Sequence, residues 1–299
     1  MGARAPVAPR ALGRARAALV LLAAAVLSAG CERIVEVELP EPERRLVVEG
    51  RIELIKEAPS REQRIVLTTT DVFFSNRLPP PAVGARVTVT DGSGRAFPFA
   101  EAEPGHYVTG DLLPRLGETY TLSVEYQGDR YEASALLHPV APIDSLYFNF
   151  EEESLFIEEE GFRAAIDFVD PRGVANYYLW EQLVDGVNRI PPDPQNALNL
   201  VSKDEFYDGQ DVLGFQPSDE VAIAPGQHTE VRQIALSRLA YDYYYALFEQ
   251  NALGSANPFS IPPASVRGNI TNLDRPDRFA FGFFEAAEVS VAEAIAPAR

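Results

Sequence analysis

Leu27-Ser28-Ala29-Gly30-Cys31 is the stretch of this chain whose residue types and spacing specify a covalent reaction. Cys31 is the sole cysteine among 299 residues. Ahead of it lie Arg4, Arg10, Arg14 and Arg16 with no acidic residue, then the apolar run Ala17 to Ala29. A basic region, a short apolar region and small residues before the cut describe a secretory signal. The run is shorter than the roughly 20 apolar residues that span a bilayer core. The five residues fit the bacterial lipobox, in which the chain is cut between Gly30 and Cys31 and the cysteine is acylated. Residues 1–30 are therefore expected to be a lipoprotein signal peptide. Cys31 is expected to carry acyl chains such as palmitate and to seat the protein in a lipid bilayer.

The remaining reactive side chains form no catalytic pattern. There is no Gly-x-Ser-x-Gly elbow. His106, His138 and His228 stand apart, with no His-x₃-His spacing for zinc. A glycosidase pair is defined by separation in space and leaves no motif, so a hydrolase would need an acid/base pair that the sequence does not display. The expectation is a protein without catalytic residues or cofactor. Glu151, Glu152, Glu153, Glu158, Glu159 and Glu160 flank Leu155-Phe156-Ile157. Six carboxylates around a hairpin can hold Ca²⁺, or can solvate a loop between two strands. Gly161 follows the run, whereas calcium loops carry their glycine inside it. The aromatic residues Tyr241, Tyr244, Tyr245 and Phe248 share a stripe of a predicted helix. They can fill a core with their hydroxyls satisfied, or meet a partner protein, since tyrosine is enriched at interfaces.

Charge narrows the partners. The formal charge is −18 and becomes −22 once the four arginines of residues 1–30 are removed. Nucleic acid needs a basic surface and anionic headgroups need one too, so neither is expected as a partner. With 46% hydrophobic residues, 17 Phe and 12 Tyr, the chain can bury real cores.

The elements that carry these side chains read as strands. Residues 32–45 are charged, contain Pro40 and Pro42, and look like a tether; extended, 14 residues reach about 45–50 Å. From Leu46 the period is two: Leu46, Val48, Gly50, Ile52 and Leu54 alternate with Val47, Glu49, Arg51, Glu53 and Ile55. Similar strands are predicted over 64–70, 85–90, 120–126 and 131–137, separated by Asp91-Gly92-Ser93-Gly94 and Gln127-Gly128-Asp129. Residues 46–138 thus suggest an immunoglobulin-like β-sandwich. His138-Pro139-Val140-Ala141-Pro142 is the expected hinge. Residues 143–299 form a second β-rich domain. Faces there include Leu146, Phe148 and Phe150, then Phe162, Ala164, Ile166 and Phe168, with further strands at 176–184, 229–236 and 279–291. Pro191 to Asn199 reads as a loop. Ser237 can cap a helix over about 238–250 that Gly254 and Asn257-Pro258 end.

The mature chain resembles the bacterial outer-membrane lipoproteins grouped as domain of unknown function 4249. The N-terminal marks are Leu46-Val47-Val48-Glu49-Gly50, Gly84-Ala85-Arg86-Val87-Thr88-Val89, Gly105-His106-Tyr107 and Gly117-Glu118-Thr119-Tyr120. The C-terminal marks are Tyr241 to Gln250, Ile261-Pro262-Pro263-Ala264, Arg267-Gly268-Asn269-Ile270 and Phe281-Gly282-Phe283-Phe284. Pro262-Pro263 and Gly268-Asn269 read as backbone devices: proline fixes φ, glycine frees it, and an asparagine side chain can imitate a backbone amide. The resemblance implies a lipid-anchored outer-membrane protein, at the cell surface or on the periplasmic face. It also implies an accessory role beside a TonB-dependent receptor, binding the transporter, its substrate or both. The alternative is a free-standing surface module or adhesin for glycan or peptide.

Overall fold

Alternating burial along β1 (Leu46–Ile55) turns Leu46, Val48, Gly50 and Ile52 inward and leaves Val47, Glu49, Arg51 and Glu53 on the opposite face. The computed structural model describes Gly2 and residues 43–56, 58, 62–71, 78–154, 159–190, 201–256 and 266–298, with backbone alone for 251–256. Gly30 and Cys31, most of the tether, Glu158, Pro191 to Asn199 and Ile261 to Ala264 lie outside the described residues. Contacts divide the chain into Met1–Pro42 and Glu43–Arg299, and every strand, helix and core named below β1 belongs to the second unit.

The fold is mainly β. Beyond β1 come β2 (Gln63–Thr69), β3 (Arg86–Thr90), β4 (Ala96–Glu103), β5 (His106–Thr109), β6 (Thr119–Tyr126), β7 (Asp129–Leu136), β8 (Ile143–Glu151) and β9 (Gly161–Val169). After these stand β10 (Tyr177–Val184), β11 (Val187–Asn188), β12 (Val201–Lys203), β13 (Asp211–Phe215), β14 (His228–Ala235), helix α1 (Arg238–Ala256), β15 (Thr271–Asn272) and β16 (Phe281–Ile295). One sheet runs β11-β10-β14-β16-β1-β2-β5-β4-β3-β6-β7-β15, with β12 on β10; the other is β13-β9-β8. β4 pairs with both β5 and β3, so the long sheet folds over there. Val48 and Ile65 from one side and Val89, Leu122 and Val124 from the other then share one core. That is the expected sandwich. Strands β4 and β5 add to the expected set, because Glu101 and Glu103 blur the alternation near the bulge between them.

A second core lies between β8-β9 and β10-β14, where Phe162, Ile166 and Phe168 meet Tyr178 and Trp180. The Trp180 indole N–H donates to Gln233 Oε1 at 2.8 Å, and Gln233 Nε2 donates to the Ala141 carbonyl at 2.8 Å. The other face of β10-β14-β16 carries α1. Ser237 Oγ accepts the Ala240 N–H at 3.1 Å, the predicted cap. The helix is longer than the expected 238–250: it passes through Gly254 and stops at Ala256, two residues before Pro258. One glycine costs a helix only about 1 kcal/mol, whereas proline removes a hydrogen bond and clashes with the preceding turn.

β16 packs into the first and third cores, and Ala296 just beyond it reaches the second. It runs parallel to β1 and antiparallel to β14, and residues 282–290 are buried without interruption. Phe284 and Ala286 face the first core; Phe283, Ala287 and Val289 face α1. Its start is set by close backbone approach. Gly282 has φ +89°, and a Cβ there would lie 1.9 Å from the Val48 carbonyl oxygen. A Cβ on Gly268 would lie 1.5 Å from the Gly282 carbonyl oxygen. Beside them, Asn269 Nδ2 donates to the Phe284 carbonyl at 2.7 Å and Asn269 Oδ1 accepts the Phe284 N–H at 2.9 Å. Its side chain thus acts as one more rung of the ladder, the backbone device read from Gly268-Asn269.

The Asn272–Arg278 loop closes on the buried Asp129. Arg275 Nε and Nη2 each donate to its carboxylate at 2.7 Å, joined by Asn272 Nδ2 at 3.2 Å. Hydrogen bonds from Arg275 outweigh burial and hold the Asp129 carboxyl below the ordinary aspartate range.

Gly268→Ala and Gly282→Ala should each abolish the cooperative unfolding transition, while Gly110→Ala, with open space around its Cβ, should stay within about 0.5 kcal/mol of the parent. Denaturant melts followed by tryptophan fluorescence check this. Asp129→Asn should lose about 2 kcal/mol at pH 7. Because the folded carboxyl ionises more readily than the unfolded one, that difference should be complete above about pH 3.9. It should then shrink as the pH falls through the lower folded value; melts between pH 7 and pH 2 read it.

Candidate functional site

The outer face of β1 forms the floor of a cleft of about 970 Å³. Val47, Glu49, Arg51 and Glu53 project there from β1, Arg64 and Val66 from β2, and Phe281 and Phe283 from β16. Tyr243, Tyr244 and Leu247 of α1 make one wall. The helix reaches this position because Tyr243 packs on Phe283 with ring centroids 4.9 Å apart and planes tilted by 31°, and Tyr244 lies 6.2 Å from the same ring. Tyr241 and Tyr245 instead lean toward Tyr177, which is 5.4 Å from Tyr241. The same helix therefore packs a sheet with one set of tyrosines and lines a cleft with another.

A charge network crosses the back of the cleft. Arg51 reaches Glu285 at 2.5 Å, Glu181 at 2.9 Å and Glu53 at 3.2 Å. Arg232 reaches Glu53 at 2.5 Å, Glu181 at 3.0 Å and Glu230 at 3.5 Å. Two guanidiniums thus serve four carboxylates on strands β1, β10, β14 and β16. Burial alone would lower the Arg51 pKa, but Glu181 and Glu285 overcome it and hold the charge firmly. For Glu181 burial works upward, and Arg51 with Arg232 wins, keeping the carboxyl low. Glu285 is different. It is 4% exposed, and burial outweighs Arg51 so that its carboxyl sits above the ordinary glutamate value. Its Oε1 also accepts the Tyr244 hydroxyl at 3.1 Å, while its Oε2 is buried without a hydrogen-bond partner. Burial, then Glu49, pushes the Tyr243 hydroxyl up to about 12.

A separate carboxylate group could take a metal. Asp170, Asp204 and Asp208 have oxygens within 4.8 Å of one another. Each carboxylate already fixes a turn: Asp170 Oδ1 accepts the Tyr178 hydroxyl at 2.6 Å, Asp204 Oδ2 the Asn176 N–H at 2.7 Å and Asp208 Oδ1 the Gly173 N–H at 2.5 Å. Burial raises the Asp170 carboxyl. Ca²⁺ takes about six to eight oxygens, and three carboxylates engaged in this way read as a clasp between two loops. Asp170-Pro171-Arg172-Gly173 and Asp208-Gly209 are its two halves, the Gly209 N–H donating to Asp170 Oδ2 at 3.2 Å.

Of the acidic run that the sequence singles out, Glu151 ends β8 and lies 3.9 Å from the buried Arg163; Glu152, Glu153, Glu159 and Glu160 are exposed. Among the described residues this run contributes to no three-carboxylate group. His106, His138 and His228 sit on β5, the hinge and β14, and none belongs to a ligand group there. Tyr241, Tyr244, Tyr245 and Phe248 all pack on the third core, with Tyr244 also lining the cleft. Sequence reasoning missed Arg51, Glu181, Arg232 and Glu285 as a set. The signal was present in charged residues inside strongly apolar strands, as in Phe283-Phe284-Glu285-Ala286-Ala287. Their partners, however, are remote: Arg51 is 130 residues from Glu181 and 234 from Glu285.

The network generates its own prediction. Arg51→Met leaves three carboxylates short of a cation and should cost about 3–5 kcal/mol. Glu285→Gln should behave oppositely with pH. The raised folded value means that the proton-bound form of Glu285 favours folding below about pH 4.3, and that this support is lost as pH rises through the folded value. The variant should therefore gain on the parent between pH 4 and pH 7 in paired denaturant melts.

Comparisons set these features among known proteins. No curated protein matches the chain in sequence. Among solved structures, a two-domain fibronectin type III segment of chicken tenascin is 14% identical and covers 60% of this chain and 87% of its own, with a TM-score of 0.18. The adhesin InvE of Yersinia pseudotuberculosis is 18% identical and covers 64% and 55%, with a TM-score of 0.20. The family model described as Domain of unknown function (DUF4249) matches residues 32–293, from the first residue after Cys31 through nearly all of β16. This chain belongs to that family.

Proposed function

We propose that the protein is a non-catalytic, lipid-anchored accessory of an outer-membrane uptake system, and that its β body binds through the cleft over β1. The carrying observation is that cleft, about 970 Å³ in volume and lined by aromatic and charged residues between a sheet and a helix. The lipobox at Cys31 supports the anchor, since each buried acyl CH₂ contributes about 0.8 kcal/mol and more than one chain makes attachment lasting. Eleven residues separate Cys31 from Glu43, enough to reach about 36–40 Å when extended. Held in the membrane plane, the body meets a TonB-dependent receptor at raised effective concentration without a tight interface. The same open cleft also suits a free-standing binding module for peptide or glycan, which would bind ligand with no receptor present.

Native membranes solubilised in mild detergent provide the test. The acylated protein should bring down a plugged β-barrel receptor, and a clickable palmitate analogue should label the parent but not Cys31→Ser. Recovery of no barrel partner under any mild condition would overturn the accessory role, and labelling that survives loss of Cys31 would overturn the anchor.

A further inference from the structure

We infer that the cleft over β1 recognises a cationic organic group, an alkylammonium or a guanidinium carried on a small apolar or peptide body. This rests on the reading of the cleft as the binding surface. The charges that line it decide the sign of the ligand. Arg51 is fully engaged by Glu53, Glu181 and Glu285. Arg64, at the rim, is matched by Glu62 at 3.1 Å. An anion entering the cleft would meet four carboxylates, Glu49, Glu53, Glu62 and Glu181, against two cations that already have partners.

Glu49 has no such commitment. It is exposed, lines the cleft, and forms no ion pair among the described residues. In the parallel register it stands beside Phe283, whose ring packs on Tyr243, and Phe281 lines the same floor. A free carboxylate among aromatic rings is the pairing that holds an ammonium or guanidinium. The carboxylate supplies charge-assisted hydrogen bonds, and the half-buried rings of Phe281 and Tyr243 supply cation–π attraction. A neutral apolar ligand would instead strip water from Glu49 and return nothing to it.

Titration of the full-length acylated protein in non-ionic detergent tests this with three probes: N-acetyl-arginine amide, its neutral citrulline counterpart, and N-acetyl-glutamate amide. The arginine probe should bind saturably and at least about tenfold more tightly than citrulline. Glu49→Gln should weaken it by about tenfold, and raised salt should weaken it as well. Glu125→Gln, on β6 outside the cleft and paired with Arg86, should leave it unchanged. Equal binding of arginine and citrulline, preference for the glutamate probe, or no saturable arginine binding at about 10 mM would overturn the proposal, as would a Glu49→Gln titration matching the parent. Loss of receptor co-purification changes none of these titrations, so the two readings fail separately.

Discussion

The fold turns on burying both faces of β16 while the buried stretch of that strand carries two glutamates. Residues 282–290 are closed off from water, and in a strand covered on both sides the usual composition is unbroken aliphatic. Here Glu285 and Glu288 interrupt it. Each is tolerated because a cation arrives from β1 or from the residue just beyond it: Arg51 for Glu285, and Lys56 at 3.1 Å for Glu288. Glu288 also accepts the Val140 N–H at 2.9 Å, so it ties the crossing segment between the two groups of strands to the centre of the sheet.

Such pairs do not by themselves make a protein more stable. Taking a carboxylate and a guanidinium out of water costs several kcal/mol per ion, and apolar replacements often do as well. What the pairs do secure is register. Arg51 stands opposite Glu285 only in the observed parallel alignment, and a one-residue slip would send every side chain of β1 to the other face. The wrong alignment would bury Glu49, Arg51 and Glu53 in the first core. Ion pairs here select one pairing among several that hydrophobicity alone would allow.

Much of this was legible in the sequence. The period-two runs at Leu46, Tyr120 and Tyr131 announce strands because one face is buried and the other wet. Ser237 announces the start of α1, and Pro258 bounds its end better than Gly254 does. β4 and β5 were not legible, since a bulge and acidic residues break their alternation. Neither was the cleft. Its floor draws on β1, β2 and β16, the first strand of the body and the last, and nothing local in Glu49 or Phe283 reports that they will be neighbours. The tyrosine stripe of α1 was visible as a stripe, but its division between packing and lining depends on where Phe283 and Tyr177 lie.

The parallel pairing of β1 with β16 also sets a timetable. The first strand of the body cannot complete its hydrogen bonds until the last strand exists. Contacts so distant in sequence form late, because the loop-closure entropy must be met before they contribute. Until β16 is in place, β1 has β2 on one edge and bare hydrogen-bonding groups on the other. An unpaired edge of that kind invites the wrong neighbour, so a chain shortened before β16 would trade its last strand for a tendency to self-associate.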